Sequence, residues 1–541
     1  MEHEWPSWQF GFDISTEEGD PTADYLRIHR RPIDPDPLSA KNMQSMQDWI
    51  AACVEQHDLC RVNGNQVPTR LLDFGTNSTE LEPRLVITAD EPAISIPSTN
   101  QAKYAALSYC WGNTSNFPPL VTNKRDITDR MSGIALSCIP QTILDAITVT
   151  RLLEIRYLWV DALCIVQDDE KDWQKESAMM TSVYGNAFVT IVAARGSDSH
   201  AGFLEPQCHD RFTTLPFRSS NHLQTTGSYR LTPSSDDASY CEYWRDILAS
   251  EWDTRAWTHQ EYAMSKRILF FGKRLHFECH QIARAEFTQA TMIRYGPSVY
   301  KSLADFSSKN DIYSFWYDTI SLFSGRRLTI QEDLLPAISG IAHLVAAAIG
   351  DRYFAGLWSG DILTGLLWRE IGDPGERVRY LAPSWSWAAC DQYVQWRYRR
   401  PDEEAIEECD IVDVQTSIIG EDAMGRVSSG YLTLSGRVKR YTDQSPWPDE
   451  FWSRAFPRST RGSICWETRI CAILLRRSST DDMDHKSTPD TIIEGLVLSS
   501  AQREPNIPND YIRIGSFRIQ KSKGGDVNFF EDCPVQRINI I

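Results

Sequence analysis

The sequence predicts an α/β fold built on a mostly parallel sheet flanked by helices, and features of the stretch from Tyr104 to about Cys279 carry that expectation. Runs of strand length recur at Ala105 to Cys110, Tyr157 to Val160 and Ala187 to Ala194, with a helical pattern between each and the next. The last run is apolar almost throughout, as a strand covered on both faces must be. Strand, helix, strand, helix, strand in that order implies parallel neighbours joined by crossover helices.

Taken in order, residues 1–100 read as a lead-in of polar turns with one short helix around Met46 to His57. The first core strand runs into a polar loop and then a helix opened by Pro140, whose fixed φ suits a first turn. The second strand is followed by a helix of about Glu170 to Tyr184. After the third, Thr258 to Cys279 predicts a helix and a hairpin, Ile268 to Phe271 and Leu275 to Cys279, turned at Gly272-Lys273. The central domain is thus 101–283. A helical region, 284–400, follows, with Leu334 to Ile349 as its clearest helix, and then a β-rich C-terminal region, 401–541, with runs at Tyr431, Ile470, Gly495 and Tyr511. Ser478 to Pro489, full of Ser, Thr and Asp, reads as an exposed loop.

A chain of 541 residues exceeds the size of a single core, so two or three packed units are expected. The formal net charge of -18 repels phosphate backbones and no basic stripe offsets it, which excludes nucleic acid as an expected partner. Leu334 to Gly350 is interrupted by Ser339, Gly340 and His343, so it reads as a buried helix and no membrane span is expected. Met1 to Asp20 carries acids and aromatics where a signal peptide has a basic and then an apolar stretch, so the expected location is cytoplasmic. The thirteen cysteines are odd in number and mostly sit inside apolar runs, the pattern of reduced thiols.

Three short motifs carry the candidate chemistry. In Tyr104-Ala-Ala-Leu-Ser-Tyr-Cys-Trp-Gly112 a strand ends in a turn at the carboxyl edge of the sheet, where open α/β sheets bind ligands. Trp111 is placed there to stack on a planar group, Gly112 to turn the chain, and Cys110 is either a nucleophile or a small buried hydrophobe. In the second motif, Leu158 to Asp169 continued to Glu176, Asp161 ends a strand. At about 100° per residue Trp173, Met180, Val183 and Tyr184 share a helix face, and Glu176 falls inside that apolar stripe. An inward carboxylate requires a pairing arginine, a hydrogen-bond network or a functional pocket. The third motif, Trp252 to Glu261, offers Arg255 as a partner for Asp161 or Glu176, and Thr258-His-Gln-Glu261 fits a capping box, the bland alternative to a ligand-binding Glu261.

Cys53-x-x-x-His57-x-x-Cys60 has metal-like spacing, yet supplies three ligands with no evident fourth, so no metal is expected. No P-loop, nucleophile-elbow, zincin or dinucleotide-binding glycine motif is present, and no cofactor is read from the residues.

Together Ala106-Leu-Ser-Tyr-Cys-Trp-Gly112, Leu158 to Asp169 with Val183 to Ala194, and Arg255-Ala-Trp-Thr-His-Gln-Glu261 resemble the fungal heterokaryon incompatibility (HET) domain in order and spacing. Asp333 to Ala342, Ala355-Gly-Leu-Trp358 and Ala382-Pro-Ser-Trp-Ser-Trp387 look like the segments that follow in stand-alone members. The resemblance implies a protein of nonself recognition that triggers programmed cell death. It also implies a distant similarity to TIR domains, hence a TIR-like, flavodoxin-like sheet. Some TIR domains cleave NAD, which makes NAD the implied substrate and an NAD glycohydrolase the implied enzyme. Leu107-Ser-Tyr109 looks like the first TIR strand and Asp172-Trp-Gln-Lys-Glu176 like the helix that bears the catalytic glutamate, although TIR enzymes place that residue one position farther on. On this reading Glu176 and Asp161 are catalytic, Trp111 stacks the base and Arg255 steers phosphate. Two other functions stay open: a non-enzymatic module working through a protein partner or self-association, and an enzyme of a biosynthetic pathway using Cys110, Asp161 and Cys164.

Overall fold

The computed structural model describes residues 11–61, 66–75, 82–91, 94, 103–113, 118–206, 211–220, 225–234, 243–286, 288–292, 303, 305–371, 380–390, 392–397, 404–441, 470–480, 490–501 and 510–541. The chain divides into two compact units, Met1–Ala304 and Asp305–Ile541.

In the first unit the described strands are, in chain order, β1 (Gly11–Ser15), β2 (Arg70–Asp73), β3 (Arg84–Ile87), β4 (Tyr104–Ser108), β5 (Tyr157–Trp159), β6 (Val189–Val192), β7 (Thr213–Arg218), β8 (Thr226–Ser234), β9 (Arg267–Phe271), β10 (Leu275–Cys279), β11 (Ala283–Ala285) and β12 (Thr288–Met292). Nine of them form one sheet in the order β12-β11-β10-β9-β6-β4-β5-β2-β3, and β1, β8 and β7 form a small antiparallel sheet. The centre of the large sheet is parallel: Ala106 of β4 pairs with Trp159 of β5 and Thr190 of β6, and Ile191 of β6 pairs with Leu269 of β9. Both margins are antiparallel. Every residue of β4, β6 and β9 is buried, which explains their near-continuous apolar sequence.

From β4 the chain passes through the helix Gln141–Leu152 to β5 on one side, then returns past β4 to β6 on the other. The crossovers leave β4 and β6 in opposite directions, the arrangement that opens a crevice at the carboxyl ends of parallel strands. The helical stretch after β5 is two pieces, Glu170–Ala178 and Met180–Asn186, broken at Met179. Asp169 caps the first by accepting the Lys171 amide at 3.2 Å.

The expected lead-in, residues 1–100, does more than lead in, because β2 and β3 complete one margin of this sheet. Their short apolar cores, Leu71-Leu72 and Leu85-Val86, are flanked by charges that find partners: Asp73 accepts from Arg156 at 2.7 Å and from Arg84 at 3.0 Å. The region 284–400 is likewise less helical than its composition predicts, since β11 and β12 extend the opposite margin before any long helix begins.

The second unit holds the helices Lys309–Ser324, with a Ser308–Asp311 capping box, and Pro336–Ile349. Among the described residues one helical stretch, Gln331–Ile349, is long and apolar enough to cross a membrane, and most of it is buried within the protein. The rest is the β-rich region that the sequence predicts. Strands Val427–Arg440, Ile470–Thr480, Asp490–Ser500, Asp510–Gln520 and Val535–Ile540 pair successively, and Val438 with Ile473 closes them into a ring around Leu474, Ile493, Val497, Phe517 and Phe530. Ser478 to Thr480, expected in a loop, continue the strand with Ser478 buried; the remainder of that expected loop lies outside the described residues.

Candidate functional site

The three sequence motifs meet at the carboxyl edge of β4 and β5. Ser108, the last residue of β4, donates its hydroxyl to the Glu261 carboxylate and accepts the Trp252 indole N–H at 2.6 Å. One residue on, the Tyr109 carbonyl accepts from Arg255. Trp111 then donates its indole N–H to Asp161 Oδ2 at 2.9 Å, and the other Asp161 oxygen accepts the Ala162 amide at 2.7 Å at the start of the short helix Asp161–Cys164. Gly112 follows with φ +82, and a Cβ there would fall 2.2 Å from Cβ of Asp198, so only glycine permits this turn to pack on the loop after β6.

Glu261 does not close a capping box. The helix runs Ala256–Met264 with Arg255 as its N-cap residue, three positions before Thr258, the N-cap of the expected capping box, so Thr258 lies inside the first turn and donates to the Trp252 and Arg255 carbonyls at 2.9 and 2.7 Å. Glu261 is thereby carried one turn into the helix and aimed at Ser108. Burial pushes it up to about 7, against the opposing pull of Arg255 and the Ser108 hydroxyl and with the Asp161 charge reinforcing the rise. Asp161 is also raised by burial, which Arg255, the Ala162 amide and the Trp111 indole oppose. Burial, followed by these acidic neighbours, holds the hydroxyls of Tyr109 and Tyr184 far above the ordinary tyrosine range. Trp111, Asp161 and Arg255 are half-buried, whereas Ser108, Tyr184 and Glu261 lie beneath them. The arrangement offers a planar ring, a carboxylate and a guanidinium at its outer layer, supported from below by an acid that titrates near neutrality.

Cys110 is buried and its thiol is pushed up by that burial, which favours the small-hydrophobe reading over the nucleophile. It packs with Val192, Trp252 and Phe270. Cys164 is fully buried and raised to about 12.

Glu176 points inward, as the helical periodicity predicts, and is 0% exposed. Its neighbouring cation is not Arg255 but Arg70 of β2, 3.6 Å away. Arg70 also holds Asp172 at 2.5 Å and donates to the Cys164 carbonyl at 2.6 Å, while Asp172 accepts the Val166 amide at 2.8 Å. Burial raises Glu176, with Arg70 among the groups that oppose the rise. The expected catalytic pair is therefore divided: Asp161 stands with Arg255 and Glu261, and Glu176 belongs to a second cluster with Arg70 and Asp172.

Ser108, Tyr184, Trp252 and Arg70 escape a reading by sequence. Ser108 leaves one signal, a hydroxyl in an otherwise apolar strand, and Arg70 another, a charge at the head of Leu71-Leu72. The three-ligand count for Cys53, His57 and Cys60 also changes, because the fold brings Cys279 to them, and the four donor atoms lie within 4.8 Å of one another.

The fold and this edge define an α/β module whose candidate site residues come from the ends of parallel strands and from the N-terminal turns of the helix Ala256–Met264. Residues 104–261, from the first residue of β4 to Glu261 itself, match the family model described as Heterokaryon incompatibility protein (HET), so the chain carries a HET domain. No curated protein and no solved structure matches the chain.

Proposed function

We propose that this is a cytosolic fungal effector of heterokaryon incompatibility whose HET domain triggers cell death by cleaving NAD, with Trp111, Asp161 and Arg255 as the working surface. The observation that carries the reading is the convergence of those half-exposed residues at one carboxyl edge, above a buried Glu261 held near 7. The parallel strands β5-β4-β6-β9 follow the order 2-1-3-4, which is that of flavodoxin-like sheets and supports the TIR-like relationship. In this reading Trp111 stacks the nicotinamide or adenine ring, Arg255 meets phosphate, and the Asp161 carboxylate stabilises positive charge on the ribose as the glycosidic bond to nicotinamide breaks. Asp161 takes this role in place of Glu176, which is shut beneath Arg70.

Inducible expression of the full chain in a filamentous fungus, with viability and NAD followed together, tests the proposal. Expected are growth arrest and NAD loss, both abolished by Asp161→Asn and unaffected by Lys171→Ala on the exposed helix face. Growth arrest with NAD intact leaves the non-enzymatic signalling reading in its place. Undisturbed growth refutes the effector role.

A further inference from the structure

Cys53 lies in the helix Ala40–Gln56, His57 is that helix's C-cap, and Cys60 closes the 3-10 turn Asp58–Cys60. A spacing of four residues sets Cys53 and His57 on one helix face, and the turn brings Cys60 back beside them. Cys279, the last residue of β10, arrives from the sheet with its Sγ 3.3 Å from Nδ1 of His57, 222 residues away in sequence. Cys53, Cys60 and Cys279 are each fully buried and none is in a disulfide.

We propose that Cys53, His57, Cys60 and Cys279 bind one structural zinc ion that fastens the N-terminal helix Ala40–Gln56 to the sheet of the HET-bearing unit. Zinc takes four ligands of this type in a tetrahedron, and Zn–S and Zn–N bonds of about 2.3 and 2.0 Å require donor separations of roughly 3.5–3.8 Å. The four donor atoms, all within 4.8 Å of one another, reach that geometry by small rotamer movements. Soft thiolate and imidazole donors select zinc over magnesium or calcium.

The surroundings fit a thiolate centre as well as the donors do. The turn after β10 points the Gln281 and Ile282 amides at Cys279 Sγ, at 3.5 and 3.4 Å, so that two N–H groups face one sulfur. Three thiolates on a divalent ion leave one negative charge, and Arg267, opposite Cys279 on β9, offsets it: its Nη1 is 3.9 Å from Cys53 Sγ and donates to the Cys60 carbonyl at 2.8 Å. Four protein ligands in a buried setting leave no open coordination position, so the ion holds structure and performs no chemistry. Because its ligands come from both ends of the unit, metal binding is coupled to folding.

The test is elemental analysis of the full-length protein purified in reductant without chelator, followed by replacement of the metal with cobalt(II). Expected are about one zinc per chain and, after exchange, the intense visible and near-ultraviolet bands of tetrahedral thiolate-bound cobalt. His57→Cys retains the metal, whereas Cys279→Ser, which removes a direct ligand, weakens binding at least about tenfold, the lower end of what loss of even an outer-shell partner costs. If Cys279→Ser fails to fold, the cobalt spectrum of the unaltered chain decides. Folded protein that takes up no stoichiometric zinc when the metal is supplied, a Cys53–Cys60 disulfide in the reduced-purified chain, or zinc retained undiminished in a folded Cys279→Ser variant would each overturn the proposal.

Discussion

Ser108 and Glu261 are hydrogen-bonded across 153 residues of sequence, joining the end of β4 to the middle of the helix Ala256–Met264. The contact sets a buried acid whose pKa is raised to about 7. A raised acid favours the protonated folded state, so its contribution to stability is fully present below the ordinary glutamate range and is lost as pH climbs to about 7. Over that window the loss is on the order of 3 kcal/mol. Glu286, raised to about 7 by its own burial, adds a slope of the same sign. Glu261→Gln should remove its own share and leave the rest, as read by urea midpoints from pH 4.5 to pH 8. An unchanged slope in the variant would contradict the assignment.

Arg70 is the cation of the second cluster, and its removal strands two acids. Arg70→Met should destabilise the first unit by roughly 3–5 kcal/mol, the range for an uncompensated buried charge. Adding Glu176→Gln should restore part of that loss, because Glu176 then no longer needs a cation 3.6 Å away. A double-mutant cycle by chemical denaturation measures the coupling, and strict additivity would show that the pair does not interact.

Gly112→Ala meets both a left-handed backbone at φ +82 and the Cβ of Asp198 at 2.2 Å. About 1–3 kcal/mol of strain is expected at such a site, with displacement of Trp111 and loss of its bond to Asp161. Thermal unfolding together with tryptophan fluorescence reports both effects.

In the second unit His343 donates its Nε2–H to the Asp422 carboxylate, 2.8 Å away, and that bond together with the carboxylate's charge raises the imidazole above its usual range. The sign is the same as for Glu261: the interaction is fully present below the free histidine pKa and fades as pH rises through the raised one. Asp422→Asn should therefore bring the His343 titration to lower pH, followed by histidine ring NMR signals. His343 is half exposed, so the accompanying change in stability should be small.

The parallel core was legible because strands buried on both faces must be apolar along their length, and β4 and β6 are. Glu176 was legible for the same kind of reason, since helical periodicity alone turns it inward. Its partner was not, because Arg70 comes from a strand in a segment too short and charged to announce itself. Of the two local readings of Glu261 the capping box is the one the fold removes: Thr258 and Glu261 have its spacing, but the helix begins at Ala256, and the contact that orients Glu261 lies on a strand distant in sequence. The fourth member of the Cys53 cluster was hidden by distance, as ligand spacing can be read only within one stretch of chain.

The sheet order also bears on how any excised piece of this chain would behave. The span 104–261 contains β4, β5 and β6 but neither β2, which covers the outer side of β5, nor β9, which covers the outer side of β6. Cut at those limits, the piece would present two bare backbone edges flanked by fully apolar side chains, a template for intermolecular strand addition and aggregation. During synthesis the same hazard persists until residues 267–271 have left the ribosome, which makes the late-arriving β9 the strand that ends the chain's exposure to its neighbours.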